Sequence, residues 1–256
     1  IDSCAARVGL HRADTLRAGD CRFQGTAYTL VDIPGTYSLM AHSAEEEVAR
    51  DFICFGGADG VVVVCDATCL ERNLNLVLQT MEITDRVVVC VNLMDEAKKK
   101  NIRIDFDQLA ENLGVPVVGA SARSRKGLDE LMDTAARVVA GEKTHPTKIR
   151  YTKPIESAIE ELEPLLEGPL AGRLNSRWVA LKLLEQDEEI LTRSRAEAPE
   201  LAADLERQVD EVARHLRDTL NTWPEAVIAD YRYGFISSLL RDGVLVITYT
   251  GETTND

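Results

Sequence analysis

Five apolar residues, Val87-Val88-Val89-Cys90-Val91, end on Asn92 and are followed at once by Leu93, Met94 and Asp95. Near-continuous Val content of this kind suits a strand covered on both faces, as in a parallel sheet. Sheets of that type bind ligands outside the carboxyl ends of their strands. An Asn and an Asp three residues apart at such an end are therefore placed to read a ligand. Two other strand ends carry polar or turn residues in the same way. Val31-Asp32-Ile33-Pro34-Gly35 closes one upstream, and Val117-Val118-Gly119-Ala120-Ser121-Ala122 closes one downstream.

Between residues 28 and 137 short β-rich runs alternate with helical patterns. Strands are expected over 28–33, 60–65, 87–91 and 115–118, and helices over 45–54, 70–82, 106–113 and 127–139. This alternation predicts an α/β class with a doubly wound, mostly parallel sheet. After the polar stretch 141–148 the period becomes helical. Ile155, Ile159 and Leu162 form one stripe and Trp178, Leu181 and Leu184 another. A third runs through Leu201, Leu205, Val209, Val212, Leu216 and Leu220, and a fourth through Ile228, Tyr231, Phe235 and Leu239. Packing explains these stripes, so a small all-α bundle is expected. The predicted organisation is an α/β domain over 1–141, a helical domain over 149–242 and a distinct tail over 243–256.

The charge balance excludes one class of partner. A net charge of −14 and a pI near 4.8 argue against nucleic acid, which needs clustered Lys and Arg. The six cysteines form no C-x-x-C and read as free thiols of a reducing compartment. The four histidines are scattered without ligand spacing, so neither a structural metal site nor an iron cluster is expected. No apolar run approaches the roughly 20 residues needed to span a bilayer, and the start lacks the pattern of a secretory signal.

The three strand ends combine into a chemistry. The Asp95 carboxylate can accept from both N1 and N2 of guanine, a donor pair adenine lacks, while Asn92 fixes the neighbouring loop and the base edge. Backbone N–H groups at Ser121 and Ala122 would meet the guanine O6. Asp32 would hold a magnesium ion through water, and the Gly35 N–H could approach a terminal phosphate. Each motif alone also serves as a turn or cap; their order favours guanine recognition. Ras-type GTPases place a Gln directly after this Gly to orient the attacking water. Thr36 stands there instead, which predicts slow hydrolysis or none. Nowhere in the 256 residues is there a G-x-x-x-x-G-K-[ST] phosphate loop, and its absence after Ser121 also argues against circular permutation.

The segments D-I-P-G-T-Y-S-L-M from Asp32, C-D-A-T-C-L-E-R-N-L-N from Cys65 and N-L-M-D-E-A-K-K-K from Asn92 resemble the cytosolic part of the ferrous iron transport protein B family. The resemblance runs from about Gly9 to Leu240 and includes Asn175-Ser176-Arg177-Trp178 and Tyr231-Arg232-Tyr233. It implies a GTP/GDP-binding domain joined to a helical spacer, preceding a membrane channel for Fe(II) that the nucleotide state gates. It assigns guanine recognition to Asn92, Asp95, Ser121 and Ala122, and phosphate and magnesium sensing to Asp32 and Gly35. The family's magnesium-binding Thr has only 13–18 in its place, with Thr15 among them.

Family members carry a strand, the phosphate loop and a helix before the point matching this start, so a truncated domain is expected. Such a polypeptide would bind nucleotide weakly. It would be cytoplasmic as a fragment and lie on the cytoplasmic face of the cell membrane in full-length relatives. Loss of a central strand predicts one of three outcomes: 1–10 fills the gap, 244–249 pairs there, or the sheet is compromised. A second reading is a non-catalytic interaction module whose acidic helical half docks on a partner.

Overall fold

The structure is a computed structural model that describes residues 6–7, 16–33, 35–36, 39, 43–55, 57–167, 174–197, 199 and 202–249. The chain divides into two units, one of residues 1–146 with 240–256 and one of residues 147–239.

In the first unit, strands β1 (Ala6–Arg7), β2 (Arg17–Phe23) and β3 (Thr26–Asp32) form an antiparallel sheet. Gln24 and Gly25 make the turn between β2 and β3 with φ of 48° and 82°, the left-handed pair that matches the twist of a two-residue hairpin. Helix α1 (Ala44–Phe55) follows. A parallel sheet then orders β4 (Val61–Asp66), β5 (Val87–Asn92) and β7 (Val117–Gly119). Helices α2 (Leu70–Ile83), α3 (Met94–Lys99), α4 (Phe106–Leu113) and α5 (Leu128–Val139) alternate with these strands. Strand β6 (Ile102–Ile104) lies between α3 and α4 and pairs with β8 (Leu245–Ile247).

The core sits around β5, where Val87, Val88, Val89, Cys90 and Val91 are all buried. Leu70, Leu74, Val77 and Leu78 of α2 are buried with them, as are Leu109 and Leu113 of α4 and Val138 of α5. Burial pushes the Cys65 thiol on β4, with Cys90 and Cys69 adding to the effect, up to about 12. The thiol therefore stays protonated and behaves as a small apolar side chain.

Three expectations are corrected here. Strand β3 pairs antiparallel with β2 and is not part of the parallel sheet. The Val run on β4 suggests cover on both faces, yet Val62 and Val64 are 41% and 58% exposed while Val63 and Cys65 are buried. Among the described residues neither candidate segment pairs with β4: β1 pairs with β2, and the tail expected over 243–256 supplies β8 to β6. Among the described residues β4 is hydrogen-bonded to β5 alone.

The second unit is helical: α6 (Lys153–Glu167), α7 (Ser176–Leu184), α8 (Glu188–Glu197), α9 (Ala202–Leu220) and α10 (Pro224–Leu239). The stripes on α6 and α7 are buried as expected. Leu205, Val209 and Leu216 are buried on α9, while Leu201 lies outside the described residues. On α10 the stripe is rotated: Ile228, Arg232, Ile236 and Leu239 are buried, and Tyr231 is 42% exposed. Arg232, 3% exposed, takes the buried position next to the one expected for Tyr231; the aliphatic stem of an arginine can cover apolar surface.

Glu156 on α6 ties this unit together. Its carboxylate accepts both Arg177 guanidinium nitrogens at 2.7 and 2.8 Å and the Tyr151 N–H at 2.8 Å, and Arg177 also reaches the Ile149 carbonyl at 3.0 Å. Partial burial raises the Glu156 carboxyl, but the Arg177 and Tyr151 bonds and the Arg150 charge outweigh it and hold the group below its ordinary 4.5. A carboxyl lowered in the fold stabilises above its unfolded value and loses that contribution as pH falls through the folded one. Glu156→Gln should therefore cost roughly 2 kcal/mol at neutral pH and flatten the acid limb of the stability curve. Urea unfolding followed by fluorescence of the buried Trp178, with the exposed Trp223 replaced by Phe, measures both.

Candidate functional site

The parallel register sets Asp66 beside Asn92 and Val91 beside Gly119, so three strand ends open toward one edge. Asn92 is held at two points. Its carbonyl accepts the Ala67 N–H at 2.9 Å, and its side-chain Oδ1 accepts the Ala122 N–H at 3.0 Å. That second bond fixes the amide: the oxygen faces Ala122, and Nδ2 keeps its donors, with no partner for them among the described residues.

The chain then turns sharply. Leu93 adopts a left-handed φ of 63°, uncommon for a side chain of its size, and α3 starts immediately. The Asp95 N–H donates to Ser121 Oγ at 3.1 Å, and the Met94 N–H to the Ala120 carbonyl at 3.1 Å. The Asp95 side chain itself is exposed and accepts no hydrogen bond from the described residues. The loop carrying Asp95 and the loop carrying Ser121 are thus clamped together by side chain and backbone.

Ser121 is 5% exposed and forms a bridge with Lys126, its N–H donating to the Lys126 carbonyl at 3.0 Å. A 3-10 turn over Ala122–Ser124 follows. Gly127 closes the loop at φ +79°, and a Cβ there would stand 2.3 Å from the Gly119 carbonyl oxygen, so only glycine fits. The expectation for the two backbone donors is revised accordingly. The Ser121 N–H is consumed by Lys126, and the Ala122 N–H is already engaged by Asn92.

Asp66, Thr68 and Asn73 have no role in the sequence reading, and the structure gives them one. Asp66 Oδ1 accepts both the Thr68 N–H at 2.8 Å and the Thr68 hydroxyl at 2.7 Å. Partial burial raises the Asp66 carboxyl, but the Thr68 bonds, a Cys69 bond and the Lys100 charge hold it below the ordinary value. Asn73 Oδ1 accepts the Asp66 N–H at 3.2 Å while its Nδ2 donates to the Cys69 carbonyl at 2.9 Å. This clasp shapes the loop that leans on Asn92. An Asp two residues before a Thr is the local signal that predicts such a turn.

The structure brings Asn92, Asp95, Ser121 and Ala122 together. Asp32 ends β3 of the antiparallel sheet and Gly35 follows it, and no hydrogen bond among the described residues links either to that group. Asp32 is exposed opposite Arg17. Gly35 is exposed with open space where a Cβ would sit. Leu39, just beyond, is buried and donates its N–H to Gln79 Oε1 of α2 at 2.6 Å. Pro34 and Thr15 lie outside the described residues.

Residues 7–135 match the family model of ferrous iron transport protein B, and residues 151–244 match the FeoB cytosolic helical domain. The chain belongs to the ferrous iron transport protein B family. The Fe(2+) transport protein A/Fe(2+) transporter FeoB fusion protein of Porphyromonas gingivalis is 35% identical over 248 residues, covering 92% of this chain and 29% of that protein. The Fe(2+) transporter FeoB of Escherichia coli K12 is 34% identical over 241 residues, covering 91% and 29%. The chain therefore spans under a third of the length of these relatives. Among solved structures, the apo cytosolic domain of T. maritima FeoB is 29% identical with a TM-score of 0.73, covering 90% of this chain and 85% of that one. The mGMPPNP-bound NFeoB from S. thermophilus is 29% identical with a TM-score of 0.77, covering 92% and 87%. The FeoB cytosolic fold, an α/β unit followed by helices, is thereby established, and no helix among the described residues is long and apolar enough to cross a membrane.

The clamp has a direct consequence. Asn92→Ala leaves the Ala122 N–H without its acceptor, a loss of about 1 kcal/mol. Amide hydrogen exchange should speed up several-fold at Ala122 while Ser121, bonded to Lys126, keeps its protection.

Proposed function

We propose that the α/β unit binds GTP and GDP by their base, and that the chain is the guanine-nucleotide-sensing cytosolic part of a membrane channel for Fe(II). The Asn92–Ala122 bond carries this reading, because it fixes the Asn92 amide donors while the bond from the Asp95 N–H to Ser121 Oγ ties the exposed Asp95 carboxylate to the same loop. Asp95 accepts from guanine N1–H and N2–H, and the Asn92 Nδ2 donors meet its O6 and N7 acceptors. The Ala122 N–H reaches O6 only by exchanging its bond to Asn92. Adenine offers an acceptor and an empty position where Asp95 needs two donors, so it is rejected.

The exposed Asp32 carboxylate, which accepts no hydrogen bond from the described residues, suits a hydrated magnesium ion; with the Gly35 N–H it would sense the terminal phosphate. Such an ion neutralises phosphate charge. In the polypeptide of 256 residues, which contains no G-x-x-x-x-G-K-[ST], affinity rests on the base, and binding is weak. With Thr36 in the position of the water-orienting Gln, hydrolysis is slow or absent.

Titration with fluorescent analogues of GDP and ADP tests the proposal. GDP should bind at least tenfold more tightly than ADP, and equal affinities would contradict it. Asp95→Asn presents one acceptor and one donor, which no longer match guanine but do match the N1–H and O2 of xanthine. The variant should lose its preference for GDP and gain one for xanthosine diphosphate; an unchanged preference would remove Asp95 from the site.

A further inference from the structure

Strand β8 follows the last helix of the second unit and brings the chain back to the first. It seats on β6 through the pairs Leu245–Ile104, Val246–Arg103 and Ile247–Ile102. Val244, just before it, is buried, and its carbonyl accepts the Asp105 N–H at 2.8 Å. Asp105 caps α4: its side chain accepts the Gln108 N–H at 3.0 Å and its carbonyl the Leu109 N–H at 3.0 Å. The first turn of α4 is therefore held by its own cap and, through Val244, by β8. Phe106 is the next residue. A Cβ added at Gly119 would stand 2.8 Å from Phe106 Cε2 and Cζ and 3.5 Å from Met94 Cγ, so the ring lies against the Gly119 backbone with Met94 close by. Gly119 ends β7 two residues before Ser121, and Met94 immediately precedes Asp95. Both loops of the base site thus begin where Phe106 packs. The ring is only half-buried, unlike Leu109 and Leu113 of the same helix, so its place is set by the turn that carries it more than by a surrounding core.

We propose that β8 is a latch on the guanine site: docked on β6, it holds Phe106 against the start of both loops, and undocked, it lets them loosen. The inference rests on the base-reading role given above to Asn92, Asp95, Ser121 and Ala122. Phe106 is a positioning residue here, because it acts through Gly119 and Met94 and not on the base. Coupling between two sites is reciprocal. A docked β8 therefore raises the affinity for GDP, and bound GDP tightens β8.

Val246→Pro in the full chain tests the latch. The bonds from the Thr248 N–H to the Asn101 carbonyl and from the Asp105 N–H to the Val244 carbonyl bracket Arg103 and Val246, which alternation along an antiparallel ladder makes the bonded pair between them. Proline removes that donor. Val246→Pro should weaken GDP binding about fivefold and leave ADP binding as it was, while Val246→Thr, which keeps the N–H, should bind GDP like the parent chain. Phe106→Ala should weaken GDP binding to a similar extent, and adding Val246→Pro to it should cost little more; two losses that simply add would show that β8 acts by another route and overturn the proposal. Amide exchange in the unaltered chain needs no variant to fold: saturating GDP, and not ADP, should slow exchange at Val246. A parent chain that binds GDP and ADP equally would overturn the base reading and the latch together. A parent that prefers GDP, with GDP affinity unchanged by Val246→Pro or with Val246 exchange unchanged by GDP, would overturn the latch alone.

Discussion

The hydrogen bond from the Ala122 N–H to Asn92 Oδ1, 3.0 Å long, joins the hydrophobic core to the ligand chemistry. On one side of it stands β5, with every residue from Val87 to Val91 buried; on the other stand two polar loops exposed to solvent. With the bonds from the Asp95 N–H to Ser121 Oγ and from the Met94 N–H to the Ala120 carbonyl, it keeps the loop of Asp95 and the loop of Ser121 from being independent surface turns. Ordering two loops during binding costs entropy that a clamp removes beforehand. The strain of a left-handed Leu93 is consistent with a backbone bent for a site, and the buried strand behind it supplies the rigidity to hold that bend.

Much of this arrangement was legible in the sequence because burial and period are local signals. The helix over 106–113 has the bounds the pattern predicts, and Asp105 caps it by accepting the Gln108 N–H. The strand beginning at Val87 was legible because five apolar residues in a row need cover on both faces. The short α3 was not, since Met94 to Lys99 is too brief to show a helical stripe. Strand β2 was missed for another reason. Its residues alternate between exposed and half-buried, so there is no apolar face to read, and its turn uses Gln24-Gly25 in place of the stronger Asn-Gly signal.

At the site, residue types were legible and hydrogen-bond assignments were not. Asn92, Asp95, Ser121 and Ala122 could be gathered from spacing, but which donors they spend on each other depends on tertiary geometry. Ser121 gives its N–H to Lys126, and no pattern in S-A-R-S-R-K announces that. The strand β8 shows the same limit. Val244 to Tyr249 reads as β-forming, but its partner, Ile102 to Ile104, lies more than a hundred residues earlier and is chosen by packing. The open face of β4 at Val62 and Val64 likewise depends on what covers a strand, which composition cannot say.

The central claim, that two clamped loops hold a guanine base as one rigid reader, is tested most directly by nuclear magnetic resonance of the isotope-labelled chain titrated with GDP and then with ADP. The account predicts that GDP shifts the backbone amides of Asn92, Asp95, Ser121 and Ala122 together and with a single affinity, while ADP leaves them in place and neither nucleotide moves Val88 or Val89. Shifts of the same size with ADP, or changes at Asp95 without changes at Ala122, would contradict it.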